Sequence, residues 1–269
     1  MSTGTRPLES ARSLLFVPGS RPDRFAKAAA SGADLVIIDL EDAVAPQDKE
    51  EARENAAAWL ARGNAAVVRI NAPGTPWHDA DLSAAAAALA PVMVPKAEDA
   101  AVFSDLARRA ADCPLIPLIE TATGVERAAE ICAVPGTVRA AFGNVDLAGQ
   151  LGVAPDDHIA LGYARSRLVS ASAAAGIAAP IDGVTTAIRD ADALAADLAH
   201  ARRLGFTAKL CVHPGQVEQV GVAFAPAEEE RRWARAVLDA QQSLAVVDGQ
   251  MVDRPVIERA RRILATDGD

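Results

Sequence analysis

Leu115-Ile116-Pro117-Leu118-Ile119-Glu120-Thr121-Ala122-Thr123-Gly124 joins an apolar run to a carboxylate and then to the start of a helix-period stretch. A run of this length, bounded by polar residues and Gly, reads as a strand. The charge at the junction carries the second half of the reading. A carboxylate abutting an apolar strand loses its water at a cost of roughly several kcal/mol unless a partner, metal or ligand compensates.

Outward from this segment the same unit repeats. Strands are expected at Ser13–Val17, Leu35–Leu40, Ala66–Ile70, Val92–Val94, Leu115–Ile119, Thr137–Phe142, Ala178–Ile181 and Ala208–Val212, with alanine-rich helical stretches between them. Eight parallel strands close a (β/α)8 TIM barrel. An open doubly wound sheet also alternates in this way. Its nucleotide-binding form loses ground, since neither Gly-x-Gly-x-x-Gly nor a Walker-type Gly-Lys-Ser/Thr is present. The pattern assigns residues 1–222 to a barrel and 223–269 to a C-terminal helical extension, with helices at Pro226–Ser243 and Pro255–Ala265 joined through Val247–Arg254.

Active sites of parallel barrels assemble at the C-terminal ends of the strands. Those positions are chemically loaded here: Pro18-Gly19-Ser20-Arg21, then Asp39 with Glu41 and Asp42, Arg69 with Asn71, Lys96, Glu120, Asn144 with Asp146, Asp182, and His213. Neighbouring strands place Glu120 beside Asp146. Two such carboxylates repel unless a hard divalent cation with a preference for oxygen, magnesium above all, sits between them. The competing reading makes both residues simple helix caps. His213 reads either as a proton shuttle or as a structural histidine beside Pro214. His78, His158 and His200 lack metal-site spacing and read as surface residues.

The net charge of −9 and the absence of a basic stretch exclude nucleic acid as a partner. Cys113, Cys132 and Cys211 are odd in number and widely spaced, so neither a disulfide framework nor a zinc site is expected. The first residues carry no apolar signal core and no apolar run reaches membrane-spanning length. A cytoplasmic protein without membrane association is the expectation.

Taken in order, the segments Leu15-Phe16-Val17-Pro18-Gly19-Ser20-Arg21, Ile38-Asp39-Leu40-Glu41-Asp42-Ala43-Val44, Val68-Arg69-Ile70-Asn71, Val94-Pro95-Lys96-Ala97-Glu98, Ile119-Glu120-Thr121-Ala122, Phe142-Gly143 through Asp146-Leu147 and Cys211-Val212-His213-Pro214 resemble the citrate lyase beta-subunit-like family. That family includes malyl-CoA and citramalyl-CoA lyases. The resemblance implies a (β/α)8 barrel, a homo-oligomer that is often a trimer, and Mg2+ held by Glu120 and Asp146. It also implies that Arg69 meets the oxygens of a 2-oxo acid, a task suited to a planar, permanently charged guanidinium. A surface salt bridge is the plainer role for Arg69.

In the same picture Asp39, Glu41 and Asp42 orient the ligands and the waters on the metal. Alternation along an extended chain keeps all three from pointing inward, and Glu41 and Asp42 are the expected inward pair. Arg21 and Lys96 would meet the phosphates of coenzyme A; their plainer roles are a solvated loop residue and a lysine at the core edge. Asp248-Gly249-Gln250-Met251-Val252-Asp253-Arg254-Pro255 resembles the segment that closes as a lid over a neighbouring subunit's site, with Asp253 in the proton-transfer role. By itself that Asp is an ordinary helix cap.

The implied activity is a Mg2+-dependent carbon–carbon lyase that splits a 3-hydroxyacyl-CoA into an acyl-CoA and a 2-oxo acid. The alternatives are a citrate lyase beta subunit acting on a citryl thioester, a malyl-CoA thioesterase, and a non-catalytic 2-oxo acid or CoA-binding protein.

Overall fold

In strands β1 (Ser13–Pro18), β2 (Leu35–Asp39), β3 (Val67–Arg69), β4 (Val92–Val94), β5 (Leu115–Ile119), β6 (Arg139–Phe142), β7 (Ala178–Asp182) and β8 (Ala208–Cys211), each pairs in parallel with the next, and β8 returns to β1. The sheet is therefore a closed eight-stranded barrel, a TIM barrel, as the sequence predicts. The computed structural model describes residues 8–110, 112–240, 246–247 and 250–265.

Helices fill the connections: α1 (Phe25–Ala29), α2 (Lys49–Ala61), α3 (His78–Ala87), α4 (Ala100–Arg109), α5 (Ala122–Glu126), α6 (Ala128–Cys132), α7 (Asn144–Leu151), α8 (Gly162–Ala175), α9 (Ala191–Leu204) and α10 (Val217–Phe224). They start and stop as local chemistry dictates. Asp99 caps α4 by accepting from Ala101 N and Val102 N, and Thr121 caps α5 by accepting from Gly124 N.

Side chains alternate across a strand, so one parity faces the barrel axis. Leu14, Leu35, Ile37, Val67, Met93, Ile116, Leu118, Ala141, Ile181, Ala208 and Leu210 form that inner core. Three of these series end in charge. Leu35 and Ile37 are followed two residues on by Asp39, and Ile116 and Leu118 by Glu120. Arg69 continues from Val67 in the same way, and the register sets Asp39 directly opposite Arg69.

The other end of the barrel is closed by Arg139, which is fully buried. Its guanidinium donates to the carbonyls of Ala179 (2.6 Å), Leu8 (3.1 Å) and Ala11 (2.6 Å) and to Thr207 Oγ1 (2.6 Å), so a buried charge is met by four oxygens.

The chain divides into two compact units between Ala223 and Phe224. In the second unit α11 (Glu228–Ala240) and α12 (Arg254–Ala265) bury Ala234, Val237 and Ala260 between them. Two short antiparallel strands, Val246–Val247 and Gln250–Met251, lie between these helices in the chain. The expected lid segment falls partly on positions 248 and 249, outside the described residues. No described helix is long and apolar enough to cross a membrane. The three cysteines are buried and free.

Candidate active site at the strand ends

Arg69 is nine-tenths buried at the end of β3 and is gripped by the facing carboxylate. Its Nε donates to Asp39 Oδ1 (2.7 Å) and its Nη2 to Asp39 Oδ2 (2.6 Å), a two-pronged pairing that fixes the guanidinium plane. Asp39 also accepts from Glu41 N (2.9 Å) and Ala43 N (3.0 Å), so both of its oxygens are saturated. Arg69 Nη1 lies 3.1 Å from Glu41 Oε2 and 3.2 Å from Asp42 Oδ2, and its Cζ sits 4.9 Å from the Phe16 ring centre.

All three acids of the β2 end thus converge on Arg69. This corrects the expected split, in which Asp39 yields the inward positions to Glu41 and Asp42. The strand stops at Asp39, and the turn that follows folds back over its carboxylate, so alternation ends there. The surface-salt-bridge role for Arg69 also fails, because its partners are mostly buried.

Glu120 is 2% exposed. Its Oε1 accepts from Lys96 N (2.9 Å), an N–H that points there because Lys96 adopts a left-handed backbone with φ of 49°. A non-glycine residue bears that conformation only when its surroundings hold it. Here the Lys96 Nζ is anchored on Glu41 Oε1 at 2.8 Å and lies 4.0 Å from Glu120. The Glu120 carboxyl is pushed up to about 8, first by burial, then by the charge of Glu41, with Asp146 adding to it and the Lys96 N–H opposing.

Asp146 stands in the first turn of α7, exposed, where a helix N-terminus favours negative charge. The approach of α7 to Glu120 depends on Gly143: a Cβ there would overlap Glu120 Cβ and come within 2.7 Å of Glu120 Oε2. Neither acid is a simple helix cap, since Thr121 caps α5 and Gly143 holds the N-cap position of α7. Asn144 pins the turn by donating to Pro155 O and Val184 O and accepting from Val184 N.

Asp39, Asp42, Arg69, Glu120, Asn144 and Asp146 line a cavity of about 360 Å³ whose remaining wall is apolar and includes Phe16, Leu118, Phe142, Val184 and Leu210. No group of three His, Cys, Asp or Glu able to cage a metal occurs among the described residues. The chemistry of the pair fits a different kind of centre. Two oxygen donors on one face, one of them buried and short of positive charge, suit a hard divalent cation that keeps waters and substrate oxygens in its other positions.

Other candidates lie elsewhere. Arg21 is exposed and folds onto Asp23 (2.9 and 2.8 Å), and it does not line the cavity. Asp253 caps α12 in the C-terminal unit, its Oδ1 accepting from Val256 N at 3.1 Å. His213 is exposed and accepts from Gly215 N, a local structural bond.

Asp182 is buried with Arg165 (2.9 Å) and Lys209 (2.8 Å). The other histidines are not free surface groups. His78 is buried on the Asn71 carbonyl, while His158 bonds Asp197 and stacks on His200 with ring centres 4.1 Å apart.

Two supporting residues escape the sequence reading. Buried Lys49 donates to the carbonyls of Leu40 (2.8 Å) and Glu41 (2.6 Å), and buried Asp81 accepts from Asn71 N and Nδ2. Both sit on helices whose inner faces only the packed barrel defines.

The model of the HpcH/HpaI aldolase/citrate lyase family matches residues 12–214. A citrate lyase subunit beta-like protein of Deinococcus radiodurans is 38% identical over 276 residues, spanning 94% of this chain and 96% of its own. A Cereibacter sphaeroides protein named (3S)-malyl-CoA thioesterase is 36% identical over 267 residues, spanning 94% and 93%. CitE of Mycobacterium tuberculosis, solved with magnesium, acetoacetate and coenzyme A, superposes with a TM-score of 0.81 at 38% identity, over 97% of this chain and 100% of that one. The chain belongs to the HpcH/HpaI aldolase/citrate lyase family.

Proposed function

We propose that this protein is a Mg2+-dependent carbon–carbon lyase that cleaves a 3-hydroxyacyl-CoA, such as malyl-CoA or citramalyl-CoA, into an acyl-CoA and a 2-oxo acid. The observation that carries the reading is the buried Glu120 beside Asp146, in one cavity with the clamped Arg69. The magnesium bound by CitE of Mycobacterium tuberculosis, together with acetoacetate or pyruvate, supports it.

Glu120 and Asp146 would hold the cation. When bound, Mg2+ supplies Lewis-acid stabilisation of the substrate hydroxyl and carboxylate oxygens. Arg69, its plane fixed by Asp39, keeps N–H groups aimed at the oxygen on which negative charge develops, and its orientation costs nothing at the moment of reaction. The apolar wall excludes water from the enolate of the departing thioester. Asp253, carried on the C-terminal unit of a neighbouring copy in a homo-oligomer, returns a proton to the enolate carbon. Arg21 and Lys96 have weak claims on the coenzyme A phosphates in this reading, since each is already paired with an acid.

A thioesterase is the second reading, favoured by the relative named for that activity. Incubation with malyl-CoA, citramalyl-CoA and hydroxymethylglutaryl-CoA and Mg2+ separates the two. Glyoxylate, pyruvate or acetoacetate appearing with an acyl-CoA supports the lyase; free CoA alone supports hydrolysis. Asp253→Ala should spare Mg2+ and 2-oxo acid binding and abolish cleavage, and full activity in that variant removes Asp253 from the mechanism.

A further inference from the structure

Lys49 opens α2 and is 5% exposed, yet among the described residues its ammonium pairs with no carboxylate. It donates instead to the carbonyls of Leu40 (2.8 Å) and Glu41 (2.6 Å) and stands 5.5 Å from the Trp77 ring centre. Neither carbonyl depends on it for a partner. Leu40 O also accepts from Asn71 Nδ2 (2.9 Å) and Glu41 O from Val44 N (3.0 Å), so a neutral side chain at position 49 would orphan no backbone acceptor. What sets Lys49 apart from a neutral residue is its charge, which is costly to bury without a carboxylate in contact.

That charge meets the site through one peptide unit. The Leu40 carbonyl and the Glu41 N–H belong to the same planar trans group and point in opposite directions. The carbonyl faces Lys49, and the N–H donates to Asp39 Oδ1 (2.9 Å), the oxygen that also accepts from Arg69 Nε (2.7 Å). Ammonium, peptide, carboxylate and guanidinium thus form one polar chain, in which each bond polarises the next. The charges of Asp39, Glu41, Asp42 and Asp81 reach Lys49, and the ion-pair partners of these four acids are three cations, Arg69, Lys96 and Arg53. Lys49 supplies the fourth.

On the reading that Arg69 meets a 2-oxo acid, we propose that Lys49 is a positioning residue for the reaction: its charge, acting through the Leu40–Glu41 peptide, holds Asp39 and with it the plane of Arg69. Lys49 does not line the cavity and acts only through these groups. A small primary alkylammonium ion that refills its space takes over the same task.

The test uses the full-length protein as Lys49→Met, neutral and nearly as long, and as Lys49→Ala, whose missing atoms n-propylammonium replaces. At saturating Mg2+, calorimetry should find pyruvate bound at least ~10-fold more weakly by both variants, because the guanidinium that meets it is no longer held in place. Mg2+ affinity, set by Glu120 and Asp146, should stay within ~3-fold. n-Propylammonium should restore pyruvate affinity at least ~5-fold in Lys49→Ala by mass action, with no effect on Lys49→Met, and neutral 1-propanol should restore none. Where Lys49→Met does not fold, Lys49→Ala purified in n-propylammonium and then dialysed carries the same comparison. Wild-type pyruvate affinity in either folded variant overturns the proposal, as does a loss shared equally by Mg2+. Rescue by 1-propanol as good as by n-propylammonium, or no rescue at all, overturns the role of the charge. The Arg69 Nε–H resonance, assigned by its disappearance in Arg69→Lys, tests Lys49 without substrate: it should be protected from solvent exchange in the wild type and lose that protection in both variants, and unchanged protection overturns the proposal. Pyruvate failing to bind the wild type defeats the 2-oxo acid reading instead, and this resonance then decides on Lys49 alone.

Discussion

Gly143→Ala isolates the packing on which the site depends. Gly143 has φ of −97°, a conformation open to alanine, so the substitution carries no backbone penalty and only space decides its effect. The new methyl carbon would overlap Glu120 Cβ, stand 3.3 Å from Glu120 Cα and stand 2.7 Å from Oε2. Carbon atoms settle at about 3.5–4.0 Å, so Glu120 or the start of α7 must yield by roughly 1 Å. Overpacking of this kind costs about 1–3 kcal/mol, or roughly 2–12 °C in Tm for a chain of this size.

The functional loss should exceed the loss of stability. Misplacing a reacting group by about 1 Å costs on the order of 100-fold, and Mg2+ affinity and turnover should fall on that scale. Gly149→Ala is the control. That exposed helical glycine has open space around it, and alanine there should add about 0.5–1 kcal/mol with unchanged Mg2+ binding. Thermal unfolding and Mg2+ calorimetry on both variants decide the matter. Gly143→Ala binding Mg2+ within about twofold of wild type would refute the reasoning that this glycine admits Glu120 as a ligand.

Two further outcomes follow from the charges. Asp39→Asn breaks the pairing that orients Arg69 and leaves a buried guanidinium short of its partner; scanning calorimetry should show a loss of about 3–5 kcal/mol, and a change within error would contradict the clamp. Glu120, raised from 4.5 to about 8, gives the metal-free protein stability that is full below pH 4.5 and lost as pH rises through about 8. Mg2+ favours the carboxylate, so calorimetry in buffers of different ionisation enthalpy should find about one proton released per Mg2+ near pH 6.5 and almost none near pH 9. Release independent of pH would contradict that assignment.

The fold was legible in the sequence because each strand is an apolar run ended by polar punctuation, and all eight were found within about two residues of their observed ends. Glu120 and Arg69 were legible for the same reason: each continues the inward parity of its strand, after Leu118 and Val67. That rule also applies to Asp39, which follows Leu35 and Ile37. The expectation that favoured Glu41 and Asp42 carried alternation past the point where the strand gives way to a turn. Other features depend on topology. Nothing near Lys49 in the chain marks it as the support of the Leu40 and Glu41 carbonyls. The buried state of His78 likewise needs α3 in place over Asn71.

Manganese binding, followed by electron paramagnetic resonance in the wild type and in Glu120→Gln and Asp146→Asn, tests the centre most directly, since Mn2+ shares the oxygen preference of Mg2+. One Mn2+ per barrel in the wild type, with affinity at least ~100-fold weaker in each folded variant, is the predicted result. Wild-type affinity in either variant would show that the carboxylate pair at the ends of β5 and β6 does not hold the metal.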